Sequence, residues 1–362
     1  MKRIVALLTI VAMSVTLLAG CGGGSGSENP APATEEKGDA GSGEAAGAEE
    51  KTEAPANTGK TYEVALSTPN MDGTPIANAC YWFAEEVNTR TNGQITVNVF
   101  SNSALGAQKD MFAQLSMGGV ELVADGTLVV DYYAPEYGFL AAPFALTGRD
   151  HLKALIDSPI FEGFQEKLAQ SNILMGGVTV KASRKLCTAE KYIYDGSNAS
   201  QMVIRTPDNS LYVKAWEAVG ASVQVLGGGE VYSSIQTGVI NATEGDWSQL
   251  NQMKMAEVAK YLYETAHVTE FGSIFISKDW YDSLPEDLAE TVMSTAKEAM
   301  DRATEEAEAM DADHLKSLQE GGMEMVEIDP KPMFDAVAPV WKEMYESTWT
   351  AATYDEVMSY AK

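Results

Sequence analysis

Histidine and cysteine are scarce, with three of each in 362 residues. No Cys-x-x-Cys or His-x-x-x-His spacing occurs. A structural zinc site is therefore not expected, nor is any other metal or cofactor. His151, His267 and His314 lie outside any Gly-x-Ser-x-Gly or related context, so no base stands beside a Ser or Cys nucleophile. His267, after a Tyr-rich stretch, reads as a packed or surface side chain. A carboxylate pair of the glycosidase kind stays open, because acids are everywhere and no pair stands out. Cationic side chains are few, 25 Lys and Arg against 52 Asp and Glu, a formal charge of −27. That balance argues against nucleic acid and against an anionic lipid surface. It also slightly disfavours an anionic ligand, but salt screens it beyond about 8–10 Å, so a local arginine pair can override it. Arginine itself is rare in the foldable part, occurring only at positions 90, 149, 184, 205 and 302. Past residue 20 no apolar run is long enough to span a membrane.

The first twenty residues are built differently. Lys2 and Arg3 precede an almost wholly apolar stretch from Ile4 to Leu18, then small residues. That is the layout of a secretory signal, too short for a span of about 20 residues. Leu18-Ala19-Gly20-Cys21 resembles a bacterial lipobox, which implies cleavage before Cys21 and lipid on it. Residues 22–59 carry no aromatic and no branched aliphatic side chain, and eight acids against two lysines, a net −6. Such a segment cannot bury enough apolar surface to offset its chain entropy, and it self-repels into an extended tether. The expected organisation is therefore a leader at 1–20, a lipidated Cys21 with an acidic linker to 59, and a domain of about 300 residues, enough for two lobes.

Within the domain, alternation through Tyr62, Val64 and Leu66, a helical face of Ile76, Ala79, Phe83 and Val87, and renewed alternation at Ile95, Val97 and Val99 give a β-α-β start. A helix over 108–117 and a strand near 120–124 follow. This order implies a parallel sheet covered by helices on both faces. Further strands are expected near 173–180, 184–188, 201–206, 222–226 and 271–277, with helices near 149–157, 159–171, 209–219, 230–237 and 250–258. One apolar stripe from Leu288 to Leu318 predicts a helix of about 35 residues, roughly 50 Å long. That exceeds one small lobe, so it is expected to run along both. Cys80 sits in a helical pattern and Cys187 in a strand-like one. Two separate buried thiols are expected rather than a disulfide, although an oxidising compartment would permit pairing.

The most informative residue is Arg205. It ends an apolar, β-favouring run, and Pro207 stops the strand two residues later. Asp208, Asn209 and Ser210 then offer N-caps for a helix through Leu211 and Trp216. A guanidinium at the carboxyl end of a strand, before a helix, lies where open α/β sheets bind ligands, and its planar fork suits a carboxylate. A surface salt bridge is the other reading in so acidic a chain. Arg184, in Ala182-Ser183-Arg184-Lys185-Leu186, is a weaker candidate of the same kind. Gly227-Gly228-Gly229 is either an anion cradle or, preferred, a tight strand-to-helix turn. Trp247, in Glu244-Gly245-Asp246-Trp247-Ser248, could line a cleft and stack on a ligand, with partial burial as the alternative.

These residues also form an ordered set of motifs: Ile204-Arg205-Thr206-Pro207, Ala218-Val219-Gly220-Ala221, Glu230-Val231-Tyr232 and Ile235-Gln236-Thr237-Gly238-Val239-Ile240. Asn92-Gly93-Gln94-Ile95, Ala104-Leu105-Gly106, Pro143-Phe144, Ser277-Lys278-Asp279 and Leu284-Pro285 accompany them. In this order the chain, from about 61 to 350, resembles the solute-binding proteins of tripartite ATP-independent periplasmic (TRAP) transporters, of the dicarboxylate-binding type. The resemblance implies an α/β, two-lobe periplasmic-binding-protein-like fold with a hinge. The long helix gives it a brace across both lobes. Lobe I would comprise 60–181 plus 271–310, and lobe II 182–270 plus 311–362. It implies that Arg205 clamps a ligand carboxylate, with Arg184 as helper. It implies a small organic acid as ligand, a membrane permease as partner, and an extracytoplasmic, lipid-anchored protein, expected to be monomeric and without catalysis. Where the family often reads Asp-Gly-Gln-Glu-Asn, this chain has Asn241-Ala242-Thr243-Glu244-Gly245. Glu244 is kept, but Gly245 replaces an asparagine that frequently contacts ligand, so the pocket is expected to differ there. Glu244, Gly245 and Trp247 complete the candidate ligand-binding set with Arg184 and Arg205. The competing readings are the receptor of an ATP-driven importer, a secreted lyase or glycosidase, and a structural surface lipoprotein.

Overall fold

The computed structural model describes residues 59–192 and 199–361. The expected leader, Cys21 and all but the last residue of the linker lie outside the described residues. Within them the strands are β1 (Tyr62–Ser67), β2 (Ile95–Phe100), β3 (Leu122–Asp125), β4 (Ile173–Met175), β5 (Thr179–Val180), β6 (Arg184–Thr188), β7 (Val203–Thr206), β8 (Ser222–Val225), β9 (Ala242–Gly245), β10 (Tyr261–Val268), β11 (Phe271–Ser277) and β12 (Glu324–Val326).

They form two sheets. The first has the order β2-β1-β3-β11-β4, with β5 also paired to β11. Strands β1, β2 and β3 are parallel, as the β-α-β-α-β start implies. The sheet as a whole is mixed, because β11 enters antiparallel to β3, β4 and β5. The second sheet has the order β12-β10-β6-β9-β7-β8, in which β6 runs antiparallel to both neighbours. Strand direction departs from the parallel expectation where the chain changes sheets. It leaves the first sheet after β5 and returns between β10 and β11, so β11 arrives from the opposite side. The two crossings touch: Lys181 N–H donates to the Glu270 carbonyl at 2.9 Å.

The third connection is the Glu286–Glu320 helix, 35 residues long as the stripe predicts. Val292, Ala296, Ala299 and Ala303 on its first half share a core with Cys80, Phe83 and Val87 of the Pro75–Arg90 helix. Leu318 near its end shares a second core with Trp247, Leu250 and Leu262. Small side chains let the β4–β5 turn press onto this helix. Gly177 sits at φ +92°, and a Cβ there would lie 2.6 Å from the Lys297 Cα, so only glycine fits. Cys80 and Cys187 are both buried free thiols, one in each of these cores.

Beyond strand direction, β9, β10 and β12 are additional to the expected strands, and the expected 173–180 strand is split into β4 and β5. Two further features depart from the expected layout. The 250–258 helix is instead Trp247–Gln252 followed by a short turn at Met255–Glu257, because Lys254 adopts a left-handed conformation at φ 56°. The C-terminal residues expected with lobe II also pack on the segment joining β3 to β4. Trp341 Nε1 donates to the Pro143 carbonyl at 2.7 Å, the Trp349 ring lies against Gly138, and His151 Nε2 lies 2.9 Å from the Val357 carbonyl. Trp341 belongs to the Lys331–Ser347 helix, which runs through Pro339, and Trp349 and Val357 follow it.

Candidate functional site

A cavity of about 670 Å³ lies between the sheets. Asn70, Gln108, Asp125 and Thr127 line it from the first sheet; Arg205, Asn209, Tyr212 and Gln249 line it from the second. Arg184, Lys181 and Glu270, at or beside the two crossings, form its floor.

Local chemistry places Arg205. It is the third residue of β7, before Pro207, and the Ser210–Val219 helix starts immediately after. Of the three cap candidates Asn209 does the work: its Oδ1 accepts from the N–H groups of Leu211 at 2.9 Å and Tyr212 at 3.4 Å. The Arg205 Nε donates to the Leu226 carbonyl at 2.8 Å. Its two terminal nitrogens make no hydrogen bond or ion pair to any described residue, although the residue is only 5 % exposed. Burial, and the neighbouring Arg184 guanidinium, hold it down to about 10, still charged at neutral pH. A buried, charged fork without a counter-ion is costly unless an anion joins it.

Arg184, the first residue of β6, is differently provided for. Nε and Nη2 bind the two Glu244 oxygens at 2.6 and 2.8 Å, and Nη2 also reaches the Glu244 carbonyl at 3.0 Å. Only Nη1 is loosely held, 3.2 Å from Gln249 Oε1 and 3.5 Å from Glu270 Oε2. Glu244 is fully buried and also lies 3.2 Å from His267 Nε2. Burial would raise the Glu244 carboxyl, but Arg184 and His267 hold it below its usual range. Burial keeps the His267 ring neutral, so it donates to Glu244 through Nε2 while packed against Phe144 and Trp216. Of the two readings the sequence leaves for His267, packed or surface, the structure has the packed one.

Arg184 and Arg205 therefore reach the cavity, whereas Glu244, Gly245 and Trp247 do not line it. Glu244 is the strut behind Arg184. Gly245 ends β9, and a Cβ there would meet Gln249 Oε1 at 3.2 Å. The Gln249 side chain thus occupies the space beside Gly245 and supplies the polar group that faces the cavity. Trp247 is 1 % exposed in the second-sheet core, with the Lys185 ammonium 4.5 Å from its ring centroid. A cleft-lining, stacking Trp247 is corrected: its polar sequence neighbours Glu244, Asp246 and Ser248 are themselves buried. Gly227-Gly228-Gly229 lies at the mouth as a self-capped turn, the Gly227 N–H donating to Glu230 Oε2 at 2.9 Å.

Sequence reasoning missed the two buried carboxylates that line the cavity. Glu270 accepts from Tyr212 Oη at 2.6 Å, Lys181 Nζ at 2.7 Å and Thr127 Oγ1 at 3.3 Å. Burial opposes its ionisation, but Lys181 and Arg184 win and hold it well below the usual carboxylate range. Asp125, the last residue of β3, accepts from Gly126 N–H at 2.7 Å and from Gln108 Nε2 at 3.2 and 3.3 Å. It has no cation within ion-pair distance among the described residues. Burial, partly offset by the Gly126 N–H and by Lys181, raises it to about 6.

The sign for Asp125 is opposite to that of a paired acid. The folded state binds the proton more tightly, so stability falls as pH rises through the window from about 4 to about 6. Above it an ionisation cost of about 3 kcal/mol is present in full. Asp125→Asn does not titrate. Its unliganded stability is expected to gain on the wild type by a further ~1–1.5 kcal/mol between pH 5 and pH 8, read from urea denaturation at the two values. A constant gap across that range would contradict the assignment.

No group of three or more His, Cys, Asp or Glu side chains is placed to hold a metal among the described residues. No described helix is long and apolar enough to cross a membrane.

Comparison with known proteins bears on this geometry. The description of bacterial extracellular solute-binding protein, family 7, matches residues 66–348. A solute-binding protein of Roseobacter denitrificans is 28 % identical over 250 residues, 68 % of this chain and 76 % of that one. The C4-dicarboxylate-binding periplasmic protein of Vibrio cholerae is 24 % identical over 277 residues, 76 % of this chain and 83 % of that one. Among solved structures, a TRAP periplasmic solute-binding protein from a Sulfitobacter species, with bound β-D-galacturonate, superposes with a TM-score of 0.77. It is 24 % identical and covers 82 % of this chain and 99 % of its own. One from Chromohalobacter salexigens with bound D-glucuronate gives 0.78 at 21 % identity, covering 82 % and 99 %. At those identities the solved structures establish the fold; the family match over most of the domain establishes more, and the chain belongs to bacterial extracellular solute-binding protein family 7, the extracytoplasmic solute-binding proteins of TRAP transporters.

Proposed function

We propose that the protein captures a small organic acid in the cavity between its sheets, with Arg205 as the clamp on the carboxylate. It then hands the acid to a TRAP-type membrane permease. The observation that carries this reading is the Arg205 fork, buried and without a protein counter-ion. A carboxylate supplies two oxygens in the plane of that fork. Arg184 contributes through Nη1 alone, because Glu244 takes its other donors. The relatives with bound β-D-galacturonate and D-glucuronate hold carboxylates in the same fold, which supports the clamp. Closing the lobes about the paired crossings at 181–183 and 269–270 would expel water and strengthen the pair. A ligand drives that closure only through its differential affinity for the closed form. In the same proposal Cys21 bears lipid, the acidic segment to 59 is the tether, and the receptor works as a monomer.

A thermal-shift panel of mono- and dicarboxylates, uronates, sialic acids and neutral sugars tests the reading. An acid at about 100 times its Kd is expected to stabilise the protein by about 2.7 kcal/mol, and neutral sugars not at all. Stabilisation by neutral sugars alone would sink the carboxylate clamp.

A further inference from the structure

Lys109, Asp208 and Glu230 line the cavity without an ion pair among the described residues, but they are exposed. Among the buried side chains that line it, two charges have no partner of opposite sign, and they stand on opposite sheets. One is Arg205 at the end of β7, the other Asp125 at the end of β3. Glu270 is not a third, because Tyr212, Lys181, Thr127 and Arg184 already surround it. Two ionised carboxylate oxygens offer about four acceptor positions. At Asp125 the Gly126 N–H and the Gln108 amide are the only donors among the described residues, which leaves room for donors from the cavity. Asn70, Gln108 and Thr127 line the cavity beside it, and Lys181, a cation that acts on it, is already bonded to Glu270.

We propose that Asp125 is the specificity-determining residue of the cleft: it accepts hydrogen bonds from hydroxyl groups at the far end of the ligand and rejects a second carboxylate. The selected class is a polyhydroxylated monocarboxylate. This rests on Arg205 holding the near carboxylate. A dicarboxylate clamped there would bring its other carboxylate toward Asp125 in a desolvated space, where two like charges cannot both stay ionised. A hydroxyl instead donates to Asp125 and accepts from the amides and hydroxyl beside it, which suit a group that does both. In an α-amino acid the ammonium stands next to the clamped carboxylate, where the Arg205 and Arg184 guanidiniums repel it. The raised carboxyl of Asp125 fits the same picture, since a donor from the ligand would stabilise the ionised form.

The test is calorimetric titration at pH 7.5 with matched pairs, an aldonate such as gluconate against the aldarate of the same configuration, alongside α-amino acids. For the hydroxylated monocarboxylate that binds best, the aldarate is expected to bind about tenfold more weakly or worse. Asp125→Asn is expected to weaken the monocarboxylate on the order of 10- to 100-fold and to bring the aldarate to within about threefold of it. Equal or tighter binding of the aldarate by the wild type overturns the proposal, and that comparison needs no variant. So does a folded Asp125→Asn with unchanged affinity and unchanged ranking, or a preference for an amino acid. If a dicarboxylate wins and is lost in Arg205→Ala, the clamp stands and only the role of Asp125 fails. If no acid binds at all, the clamp fails and this proposal with it.

Discussion

Arg205→Ala is expected to weaken binding of the cognate acid by about 2–5 kcal/mol, roughly 30-fold to several-thousand-fold, while the unliganded protein keeps or gains stability. The two halves of this result have one cause. In the unliganded protein the guanidinium is buried, Arg184 repels it, and its only described hydrogen bond runs from Nε to the Leu226 carbonyl. A cation whose folded value is depressed, here from 12.5 to about 10, costs stability at every pH below that value. The cost is on the order of 3 kcal/mol before screening and relaxation. Truncation removes it, and loses the packing of the stem and the Leu226 bond, together a comparable amount. In the complex the same fork meets a carboxylate, and its removal strands that carboxylate in a desolvated cleft. Calorimetric titration and urea denaturation at pH 7 read the two effects separately. A variant that loses several kcal/mol without ligand would make Arg205 a structural arginine and sink the clamp.

The same contrast explains which residues were legible in the sequence. Arg205 could be found because everything that places it is local: an apolar run, a proline that stops the strand, and an asparagine that caps the next helix. The long helix was legible for a similar reason, one stripe sustained over ten turns. Glu270 and Asp125 could not be found. They are two acids among 52. Glu270 takes its meaning from Lys181, 89 residues away, and Asp125 from its burial without a cation at ion-pair distance among the described residues, which no local pattern displays. Trp247 was misjudged because polar sequence neighbours suggest exposure. Here Glu244, Asp246 and Ser248 are buried too, on a strand end and helix start that face the core. Strand β9 is not legible because it is four residues long and carries a buried glutamate, an ion pair that no pattern of hydrophobicity encodes. The antiparallel entry of β11 was equally hidden, since direction is set by where the chain returns from the other sheet and not by the residues of the strand.

Glu244→Ala is expected to behave in the opposite way, losing about 3–5 kcal/mol of unliganded stability. Glu244 is fully buried and holds Arg184 through two oxygens, with His267 as a third partner. Removing the side chain leaves a buried guanidinium with no carboxylate in close contact, holding only the Nη2 bond to the backbone carbonyl of residue 244 and the long contacts from Nη1 to Gln249 and Glu270. It also leaves the His267 Nε2–H without an acceptor. The sign with pH follows from its lowered carboxyl. The stabilisation is fully present above about 4.5 and fades as pH falls through the folded value, so the gap between wild type and variant should be wide at pH 7 and narrow in acid. Glu244→Gln keeps the shape and part of the hydrogen bonding, and is expected to fall between the two. Two arginines that line one cavity would thus give opposite answers to the loss of a charge: Arg205 is held ready for an anion from outside, whereas Arg184 already has its anion. If Glu244→Ala cost less than about 1 kcal/mol, Arg184 would not depend on its glutamate. The two guanidiniums would then have to be treated as a joint carboxylate clamp.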